Sequence, residues 1–457
     1  MDIKIPGDVN LIINTLEDAG YEAYAVGGCV RDSILGRTPG DWDITTSALP
    51  SQVKDLFRVT IDTGIAHGTV TVVLNHENYE ITTYRIDGEY LDGRHPENVE
   101  FTASLYEDLR RRDFTINAMA YHPEKGLIDE FEGIKDLKDH VIRAVGEPAE
   151  RFEEDALRML RAVRFAAQLD FDIEEHTAEA IKEKAGNLKK VSAERIAKEL
   201  SLLVSAKCPG RIREAVSLGI TAVVLPELDL CLATPQNNPH HMYNVGEHCI
   251  RAMELTPLGD KVKNPVRWAA LLHDFGKPAA KTTDSNGKDH FKGHADISEQ
   301  IAKKILRRLK FDNDTIAIVS KLVKYHDIFL DTRLSDYTEK YMRHVINLIG
   351  KEEMKLLFLI MEADTLAQSD FMREEKLKEL QMAKDLYKVI TERNDPVALC
   401  DLAISGREVM EAGVAPGKAV GEALNSLLND VLDDPALNNR EELIRRAERL
   451  GGKSEKQ

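Results

Sequence analysis

Two aspartates separated by one residue, Asp41 and Asp43, are the clearest candidates for chemistry in this sequence. If both lie on a β-strand, their side chains point to the same face, because strand side chains alternate with a period of two. Two adjacent carboxylates repel each other unless a cation lies between them, and oxygen ligands suit Mg²⁺. The pair therefore predicts a divalent metal site. Glu80 is either a third metal carboxylate or a solvated strand glutamate, and the sequence leaves both open.

A pair of glycines precedes the two aspartates. Gly27 and Gly28 follow a short apolar run, Tyr24–Val26, which predicts the end of a strand. The next residues, Val30–Leu35, predict the start of a helix. Glycines let backbone N–H groups approach an anion closely, and the N-terminus of a helix favours negative charge. With Arg31 as a charge-assisted donor, the stretch predicts a phosphate-binding turn beside a metal site, which is what nucleotidyl transfer requires.

A run of three arginines ends at Arg112, directly before Asp113. Asn117 follows four residues after Asp113, so that one face of a helix would carry both side chains. Arg112 could reach a triphosphate, but a solvated basic turn capped by Asp113 explains the run equally well. The run alone therefore does not decide between a binding role and a surface role.

The stretch Glu153–Ala167 predicts a helix in which arginines recur at every third residue after Asp155. A solvated arginine face is the usual explanation of such a pattern. Here, however, the arginines interrupt a largely apolar helix and lack the alternating acids of a salt-bridged surface. Arg and Asp side chains also offer donors and acceptors that match base edges. The candidate base-binding residues are Asp155, Arg158, Arg161 and Arg164.

Histidines and aspartates recur on predicted helices in the second half of the chain. Imidazoles and carboxylates contributed by several helices suit one or two divalent transition-metal ions. A lone histidine is more often a core or surface residue, but the adjacent pair His273-Asp274 at the end of an apolar helix is a stronger signal. The candidate ligands are His248, His273, Asp274, His294, His326 and Asp364.

Composition sets the broad class. The 457 residues predict about three domains, and 43% hydrophobic with 30% charged residues is typical of a globular protein with sizeable cores. No apolar run is long enough to span a bilayer, and the N-terminus does not resemble a signal peptide. Five scattered cysteines predict reduced thiols in the cytoplasm. The net charge of −17 restricts any nucleic-acid binding to local basic patches.

Several elements that position these residues are readable from periodicity. Residues 1 to about 22 predict an amphipathic helix, with Val9, Ile12, Ile13 and Leu16 on its apolar face. Two β-branched runs, Gly68–Leu74 and Tyr79–Arg85, predict a hairpin with its turn at Asn75–Asn78. The next stretch, Ile86–Glu100, is rich in Gly, Pro, Asp and Glu and predicts a mobile loop.

Taken together, these motifs resemble the class II nucleotidyltransferases of the DNA polymerase β-like superfamily. That family comprises the bacterial CCA-adding tRNA nucleotidyltransferases and the bacterial poly(A) polymerases. The resemblance covers roughly residues 20–205 through the stretches GGCVRDSILG, DWD, RRDFTINA, EDALRMLRAVRFAA and SAERIAKEL. The segment around His273-Asp274 is similar to the HD phosphohydrolase domain, and ISGREVMEAGVAPGKAVGEAL looks like the body and tail segment of many family members.

The resemblance implies roles in the first part of the chain. Gly28 and Arg31 would hold the incoming triphosphate, and Arg112 would contact the nucleotide. Asp41 and Asp43 would bind Mg²⁺, which activates the primer 3′-hydroxyl and stabilises the departing pyrophosphate in two-metal-ion catalysis. Glu80 is kept as a candidate catalytic carboxylate beside them.

The resemblance also implies how the base is chosen. Asp155 and Arg158 would present a Watson–Crick-like edge to cytosine or adenine, so that the protein is its own template. Arg161 and Arg164 would support that helix and the phosphates. In the family, the loop that corresponds to Ile86–Glu100 helps switch from C to A addition, and its apparently full length favours a complete CCA enzyme over a CC-only one. An A-adding specialist stays compatible with it.

These roles imply an enzyme that builds or repairs the 3′ CCA end of tRNA from CTP and ATP. The alternative within the family is a poly(A) polymerase or an A-adding specialist, which the acidic net charge mildly disfavours. An alternative of another class is a phosphohydrolase whose head has become a binding module, and the intact Asp41/Asp43 pair argues against it. The HD-like segment is either a metal-dependent phosphohydrolase or a structural spacer. No membrane partner is expected, and the oligomeric state is left open.

The predicted fold class is α+β, with a small mixed β-sheet head followed by all-α neck, HD-like and tail domains. The predicted boundaries are 1–146 for the nucleotidyltransferase head, 147–207 for the neck, 208–235 for body helices, 236–372 for the HD-like domain and 373–457 for a tRNA-binding body and tail.

Overall fold

The structure is a computed structural model that describes residues 3–87, 99–257, 263–329 and 337–454. The chain forms two compact units, Met1–Asp229 and Leu230–Gln457. The first unit contains the large sheet together with helices, and the described part of the second unit is helical apart from one short two-stranded sheet. The predicted fold class, a mixed-sheet head followed by helical regions, is confirmed.

A seven-stranded mixed sheet in the order β3-β4-β5-β2-β1-β8-β9 organises the first unit. Strands β2 and β5 are parallel, whereas the other neighbours in this sheet are antiparallel. Two further pairs, β6 with β7 and β10 with β11, form two-stranded sheets. The strands are β1 Ala23–Val26, β2 Asp43–Thr46, β3 Thr60–Gly64, β4 Thr69–Leu74, β5 Glu77–Thr83, β6 Arg85–Asp87, β7 Val99–Phe101, β8 Ala120–His122, β9 Gly126–Ile128, β10 Val141–Ile142 and β11 Asp172–Ile173.

Helices of the first unit cover the sheet and then continue as a helical segment. They are α1 Gly7–Asp18, α2 Gly28–Ile34, α3 Pro50–Leu56, α4 Leu105–Arg110, α5 Gly133–Asp139, α6 Pro148–Glu154, α7 Leu157–Leu169, α8 Glu175–Lys184, α9 Ala193–Val204, α10 Ile212–Ser217 and α11 Thr221–Val224, with α12 Pro226–Leu232 crossing into the second unit. The predicted amphipathic helix is confirmed as α1, and its predicted apolar face is fully buried.

The predicted hairpin is confirmed as strands β4 and β5. Leu74 pairs with Glu77, so that the turn contains only Asn75 and His76, both with positive φ. Such a two-residue turn matches the right-handed twist of the flanking strands. Of the predicted mobile loop, the ends belong to β6 and β7, and residues 88–98 lie outside the described residues.

Helices of the second unit pack around a core that includes the fully buried Trp268. They are α13 Val245–Leu255, α14 Lys263–Leu272, α15 Lys277–Ala280, α16 His294–Arg308, α17 Asn313–Lys324, α18 Glu339–Ile349, α19 Lys351–Ala367, α20 Arg373–Glu392, α21 Gly406–Glu411, α22 Lys418–Asp433 and α23 Arg440–Ser454. Strands β12 Thr282–Thr283 and β13 Asp289–His290 form the short sheet. Across the described ranges, every helix is too short or too polar to cross a membrane. In the part of the chain that the structure describes, the five cysteines form no disulfide bond with one another.

Candidate nucleotide and metal sites

The glycine turn lies beside Asp43 because β1 and β2 are antiparallel. The last residue of β1, Val26, pairs with the first residue of β2, Asp43, and helix α2 begins immediately after Gly27. Gly27 has a φ of 82°, which favours glycine, and a Cβ there would lie 3.1 Å from Arg112 Nη1. Sheet pairing therefore brings the predicted phosphate-binding turn, one predicted metal ligand and Arg112 together.

Glu80 lies next to Asp43 in the sheet. The parallel strands β2 and β5 pair in a register that sets Asp43 opposite Glu80, and neighbouring strands lie about 4.8 Å apart. Both carboxylates line a cavity of about 230 Å³. The other polar residues of that cavity are Thr69, Thr82, Arg85, Arg111 and Arg112. Arg85 was not singled out from the sequence, because its approach to the carboxylates depends on strand pairing.

The prediction that Asp41 and Asp43 share a strand is wrong. Strand β2 begins at Asp43, because its partner β1 ends at Val26 and the chain then turns into α2, so that Asp41 has no strand to pair with on that side. The two carboxylates are still close enough for Asp41 to affect Asp43. Loss of hydration, followed by the charges of Asp41 and Glu80 and opposed by Arg112, raises the pKa of Asp43 to about 6. Neighbouring acids that disfavour each other's charged forms suit a bound cation.

The basic run before Asp113 is anchored to the sheet and is not a solvated turn. Arg111 contacts the buried carboxylate of Asp108 at 2.7 Å, and Arg112 contacts its other oxygen at 3.3 Å. Thr45 on β2 donates to Asp108 at 3.0 Å. Although burial acts to raise the pKa of Asp108, the two guanidinium groups hold it below its ordinary value. Asp108 thus fixes two arginines at the edge of the cavity.

A turn after the arginines connects Arg31 to Asp113. The Asp113 carboxylate accepts hydrogen bonds from the Phe114 N–H at 2.8 Å and from the Asn117 amide at 3.1 Å. Asn117 in turn accepts from Arg31 at 2.6 Å. The predicted helix face is wrong, because Thr115–Asn117 form a 3₁₀ turn. An aspartate that binds the backbone just ahead of it favours a turn over an α-helix, yet the two side chains still meet.

The same carboxylate connects the head to helices α7 and α9. Asp113 accepts two hydrogen bonds from Arg161, at 2.8 and 2.7 Å. Glu199 on α9 then pairs with Arg161 at 3.5 Å and with Arg164 at 2.6 Å. Arg164 and Glu199 are almost fully buried, so that each depends on the other for charge compensation. Sequence reasoning missed Glu199, although it lies in the quoted stretch SAERIAKEL.

Asp155 interrupts the predicted helix Glu153–Ala167, so that the prediction of one continuous helix is wrong. Helix α6 ends at Glu154, α7 begins at Leu157, and the backbone at Asp155 is extended. The Asp155 carboxylate accepts from the Leu157 N–H at 3.1 Å, which is the helix-initiating role that aspartate favours. Its oxygens also accept from Arg195 on α9, at 3.1 and 2.6 Å. Asp155 is therefore fixed in orientation, and its carboxylate has further acceptor capacity.

The arginines of α7 face inward, which excludes a solvated arginine face. Arg158 is 9% exposed. It donates to Glu154 at 2.5 Å and to the carbonyl oxygens of Arg151 and Arg111 at 3.2 and 2.8 Å. Helix α7 contains no acids of its own, and its arginines pair with acids from elsewhere in the chain. These acids are Glu154, Asp113 and Glu199. Asp155 thus lies in the break between α6 and α7, and Arg158 lies in the first turn of α7.

All six predicted ligands of the second half meet in one cluster. His248 lies on α13, His294 begins α16, and Asp364 lies on α19, while His326 follows the end of α17. The helix that was predicted to carry His273-Asp274 ends at Leu272, so that the pair lies in the turn before α15. Gly276 follows in that turn, and a Cβ there would lie 2.3 Å from the His294 carbonyl oxygen. Close approach of the two segments therefore requires glycine.

The cluster divides into two groups that share one carboxylate. The candidate ligand atoms of each group lie within 4.8 Å of one another. The groups are His248, His273 and Asp274, and Asp274, His294 and His326. Asp274 Oδ1 is buried without a hydrogen-bond donor among the described residues, although His294 Nε2 lies 3.2 Å away. Asp364 adds a carboxylate oxygen 2.9 Å from His248 Nε2.

The imidazoles are oriented as metal ligands usually are. The Nδ1 atoms of His273, His294 and His326 lie 2.7, 2.9 and 2.7 Å from backbone carbonyl oxygens. Because Nδ1–H donates outward, each Nε2 is directed into the cluster. His248 and His273 face each other through Nε2 atoms 3.2 Å apart, a distance that requires a proton or a cation between them. The residues present therefore fit divalent metal ions.

The pKa of one imidazole in the cluster supports the same conclusion. Burial acts to lower the pKa of His273, but Asp274 and Asp364 raise it to about 10. Without metal, this imidazole therefore carries a proton at neutral pH, and a metal ion would replace that proton. Lys277, in the same HDFGKP stretch, contacts Asp274 Oδ2 at 2.6 Å. It was not singled out from the sequence, because lysine is not a metal ligand.

Three family profiles match successive parts of the chain. The profile described as "Poly A polymerase head domain" matches residues 23–143, "Probable RNA and SrmB- binding site of polymerase A" matches residues 170–232, and "HD domain" matches residues 241–369. Their order agrees with the order of the motifs along the chain.

Two similar proteins are CCA-adding enzymes. The CCA-adding enzyme of Lactobacillus helveticus is 58% identical over 188 residues, which are 41% of this chain and 47% of that protein. The CCA-adding enzyme of Limosilactobacillus reuteri is 50% identical over 210 residues, which are 46% of this chain and 52% of that protein. The chain thus spans about half the length of these relatives.

A solved structure extends the comparison to the whole chain. The CCA-adding enzyme of Bacillus stearothermophilus in complex with CTP is 28% identical, with a TM-score of 0.73 over 99% of this chain and 100% of that one. Residues 23–143 match the poly A polymerase head domain, and the chain is similar over its whole length to a CCA-adding enzyme of known structure.

Proposed function

We propose that the protein is a tRNA nucleotidyltransferase that adds or repairs the 3′-terminal CCA from CTP and ATP and releases pyrophosphate. The observation that carries the proposal is the set of carboxylates Asp43 and Glu80, paired across β2 and β5 beside the Gly27–Gly28 turn and Arg112. The names of the relatives favour this activity over a poly(A) polymerase or an A-adding specialist. Its place of action is the cytoplasm, where free thiols persist.

In this proposal, Asp41 and Asp43 hold Mg²⁺ with Glu80 as a further carboxylate. Burial, followed by the charges of Asp41 and Glu80, raises the pKa of Asp43, and a bound cation would offset both effects. Bound Mg²⁺ would supply a Lewis acid for the primer hydroxyl and the leaving pyrophosphate. Gly28 and Arg31 bind the triphosphate, with Asn117 holding Arg31 in place.

Base choice is assigned to the break between α6 and α7. Cytosine and adenine each present an exocyclic amine beside a ring-nitrogen acceptor, whereas uracil and guanine present the reverse order. Asp155 accepts from the amine and Arg158 donates to the ring nitrogen. Arg112 contacts the nucleotide, and Arg161 and Arg164 support α7 and the phosphates through their pairing with Asp113 and Glu199.

Asp155→Ala is expected to lower kcat/KM for both CTP and ATP and to weaken discrimination against UTP. Loss of the acceptor removes a base contact of about 1–3 kcal/mol, which corresponds to about 5- to 150-fold. Single-nucleotide incorporation kinetics with each triphosphate measure the effect. The matched control is Glu153→Ala, because Glu153 is an exposed acid on α6 that pairs with Lys184 of α8. Unchanged CTP/UTP selectivity in Asp155→Ala would assign base choice to other residues.

The deciding experiment for the activity uses tRNA that lacks CCA. We expect CTP alone to add two residues, ATP alone to add none, and both together to restore CCA. Incorporation of A without any use of C would select an A-adding specialist, and long A tails on generic RNA would select a poly(A) polymerase. The tRNA is expected to be bound by shape and backbone contacts along the acceptor arm, with residues 147–207 and 373–457 as the proposed RNA-binding segments.

A second activity is proposed for the HD segment, because five of its six candidate ligands form two groups that share Asp274, and the sixth, Asp364, contacts His248. Bound there, one or two divalent transition-metal ions would supply an activated water for hydrolysis of a phosphate ester. Residues of the chain would hold the metal ligands in place. Backbone carbonyl oxygens fix the imidazole rings, and the Lys277 ammonium contacts the Asp274 carboxylate.

A further inference from the structure

The cavity beside strands β2 and β5 holds charges of both signs. Its volume is about 230 Å³, and its charged lining residues are Asp43, Glu80, Arg85, Arg111 and Arg112. Opposite charges that lie close together attract strongly when they are partly shielded from water. In a space of this size, a guanidinium group that lacks another partner would therefore pair with a carboxylate that the proposed metal site needs.

A buried carboxylate on helix α4 holds two of the three guanidinium groups. The side chain of this residue, Asp108, is fully buried. Arg111 donates to its Oδ1 through Nε at 3.0 Å and through Nη2 at 2.7 Å, and Arg112 donates to its Oδ2 at 3.3 Å. The third arginine, Arg85, donates to the His67 carbonyl oxygen. Each oxygen of Asp108 thus binds a different arginine of the cavity.

Asp108 is fixed in position and charged. Thr45, which lies on strand β2 two residues after Asp43, donates to its Oδ2 at 3.0 Å. Burial acts to raise the pKa of Asp108, but Arg111 and Arg112 hold it below its ordinary value, so that the carboxylate is ionised at neutral pH. Charge-assisted hydrogen bonds to an ionised carboxylate are about twice as strong as neutral ones. Both guanidinium groups therefore stay bound to Asp108.

The contact with Asp108 also sets the direction of Arg112. In the described part of the chain, Asp108 is the only acid that forms an ion pair with Arg112. The Arg112 Nη2 atom binds Asp108, whereas its Nη1 atom lies 3.1 Å from the position that a Cβ would take at Gly27. Because a guanidinium group is planar and rigid, fixing one nitrogen against Asp108 directs the other towards the proposed phosphate-binding turn.

We propose that Asp108 is a positioning residue of the head site, which holds Arg111 and Arg112 away from the metal carboxylates so that these stay available to Mg²⁺. The inference rests on the proposed function for the assignment of Mg²⁺ to the head. Removal of the Asp108 charge would leave two partly buried guanidinium groups without their partner. The acids that share their cavity, Asp43 and Glu80, would then become their partners and bind Mg²⁺ more weakly.

The test compares Asp108→Asn with Asp136→Asn in the full chain. Asp136 is the matched control, because it is also a buried acid of the first unit that accepts from one threonine, Thr115, and pairs with one arginine, Arg143. Calorimetric titration with CTP, without tRNA, measures binding in the absence of transfer at a series of Mg²⁺ concentrations. All chains are compared at the same total CTP and Mg²⁺, so that Mg²⁺ binding to free CTP is common to them.

Asp108→Asn is expected to raise the Mg²⁺ concentration for half-maximal CTP binding by at least about tenfold, because one ion pair between a guanidinium group and a metal carboxylate is sufficient for that factor. Asp136→Asn is expected to leave this midpoint within about twofold of the wild-type value, since its arginine lies outside the lining of the cavity. Thermal unfolding of both variants shows whether they lose similar stability.

A second variant keeps the test decisive if Asp108→Asn fails to fold. Asp108→Asn combined with Arg111→Gln removes one charge of each sign, which is tolerated better than removal of one partner. Only Arg112 is then released, so that the Mg²⁺ midpoint of the double variant should exceed the wild-type value by at least about threefold and stay below that of Asp108→Asn. A wild-type midpoint in the double variant would contradict the inference.

An unchanged Mg²⁺ midpoint in folded Asp108→Asn would overturn the inference, and so would an equal shift in Asp136→Asn, which would reveal a general effect of lost stability. Incorporation of CTP into tRNA that lacks CCA is measured separately with the wild-type chain. If the wild-type chain neither binds CTP with Mg²⁺ nor incorporates it, the proposed function is refuted together with the inference. Normal incorporation with a midpoint that is independent of Asp108 would refute the inference alone.

Discussion

Asp43→Asn is expected to abolish nucleotidyl transfer and, at the same time, to raise the melting temperature of the metal-free protein. A metal ion that stabilises developing charge contributes several kcal/mol to the barrier, so that kcat/KM should fall by at least about a thousandfold. The gain in stability follows from the raised pKa of Asp43. An acid whose charged form is disfavoured in the native state is replaced by a neutral amide of the same shape.

The sign of the pH dependence follows from the same group. Its pKa is about 6 in the folded chain, against an ordinary value of 3.8. Between these values the native state binds more protons than the unfolded state, so that the metal-free protein loses stability as pH rises towards 6. The advantage of Asp43→Asn should therefore be present at pH 7 and vanish below about pH 4. Activity of the wild-type chain should fall as pH drops through about 6 at limiting Mg²⁺, because the ligand must be deprotonated.

Thermal unfolding with and without Mg²⁺, together with CTP incorporation, measures both effects. Added Mg²⁺ should stabilise the wild-type chain more than Asp43→Asn, because the variant has lost one carboxylate ligand of the head site. Asp62→Asn is the matched control, since Asp62 is an exposed acid on strand β3 of the same sheet. If Asp43→Asn is less stable than the wild-type chain when both lack Mg²⁺, the electrostatic reasoning is contradicted. If Asp43→Asn still incorporates CTP, the assignment of the metal site is contradicted.

The head site was predictable from the sequence where its residues are close in the chain. Gly27, Gly28 and Arg31 lie within one strand–turn–helix, whose hydrophobic pattern and glycines identify it. Asp41 was misplaced because a strand extends only as far as its neighbour, and the end of β1 is fixed by the glycine turn. Glu80 remained open because pairing of β2 with β5 joins residues 37 positions apart, and local periodicity does not specify such a register.

Partners of buried charges were the least predictable part. Arg164 looks like a surface residue until Glu199 is brought 2.6 Å from it by the packing of α7 against α9. Arg195 similarly meets Asp155 only through tertiary packing. The break at Asp155 had a local signal, because aspartate directly before an apolar run favours helix initiation. The apolar periodicity continues through the break and predicted one continuous helix, and that prediction was wrong.

The candidate metal-ligand cluster of the second unit shows why residue type can be a better guide to a site than predicted secondary structure. All six predicted ligands meet, although the helix boundary at His273 was wrong. Histidine and aspartate are costly to bury without partners. Their presence on apolar helices therefore indicated that they form a common site.

Asp274→Asn is expected to remove the metal ions of both ligand groups, because its carboxylate is common to them. An amide lacks the charge that compensates a divalent ion, and the variant also leaves the buried ammonium of Lys277 without its partner at 2.6 Å. Hydrolysis of p-nitrophenyl phosphate should fall by at least about a thousandfold. Elemental analysis of the purified chain after loading with Mn²⁺ measures the metal content directly.

The Asp364→Asn variant distinguishes loss of a metal ion from loss of the folded structure. Asp364 contacts His248 at 2.9 Å and His273 at 3.5 Å but is not part of the group formed by Asp274, His294 and His326. Its variant should therefore keep one of the two ions where Asp274→Asn keeps none. CCA addition should be unchanged in both variants, because the residues proposed to bind Mg²⁺, the triphosphate and the base belong to the first unit. Full metal content in Asp274→Asn, or parallel loss of CCA addition from a folded variant, would show that this carboxylate has a structural role and does not bridge two metal ions.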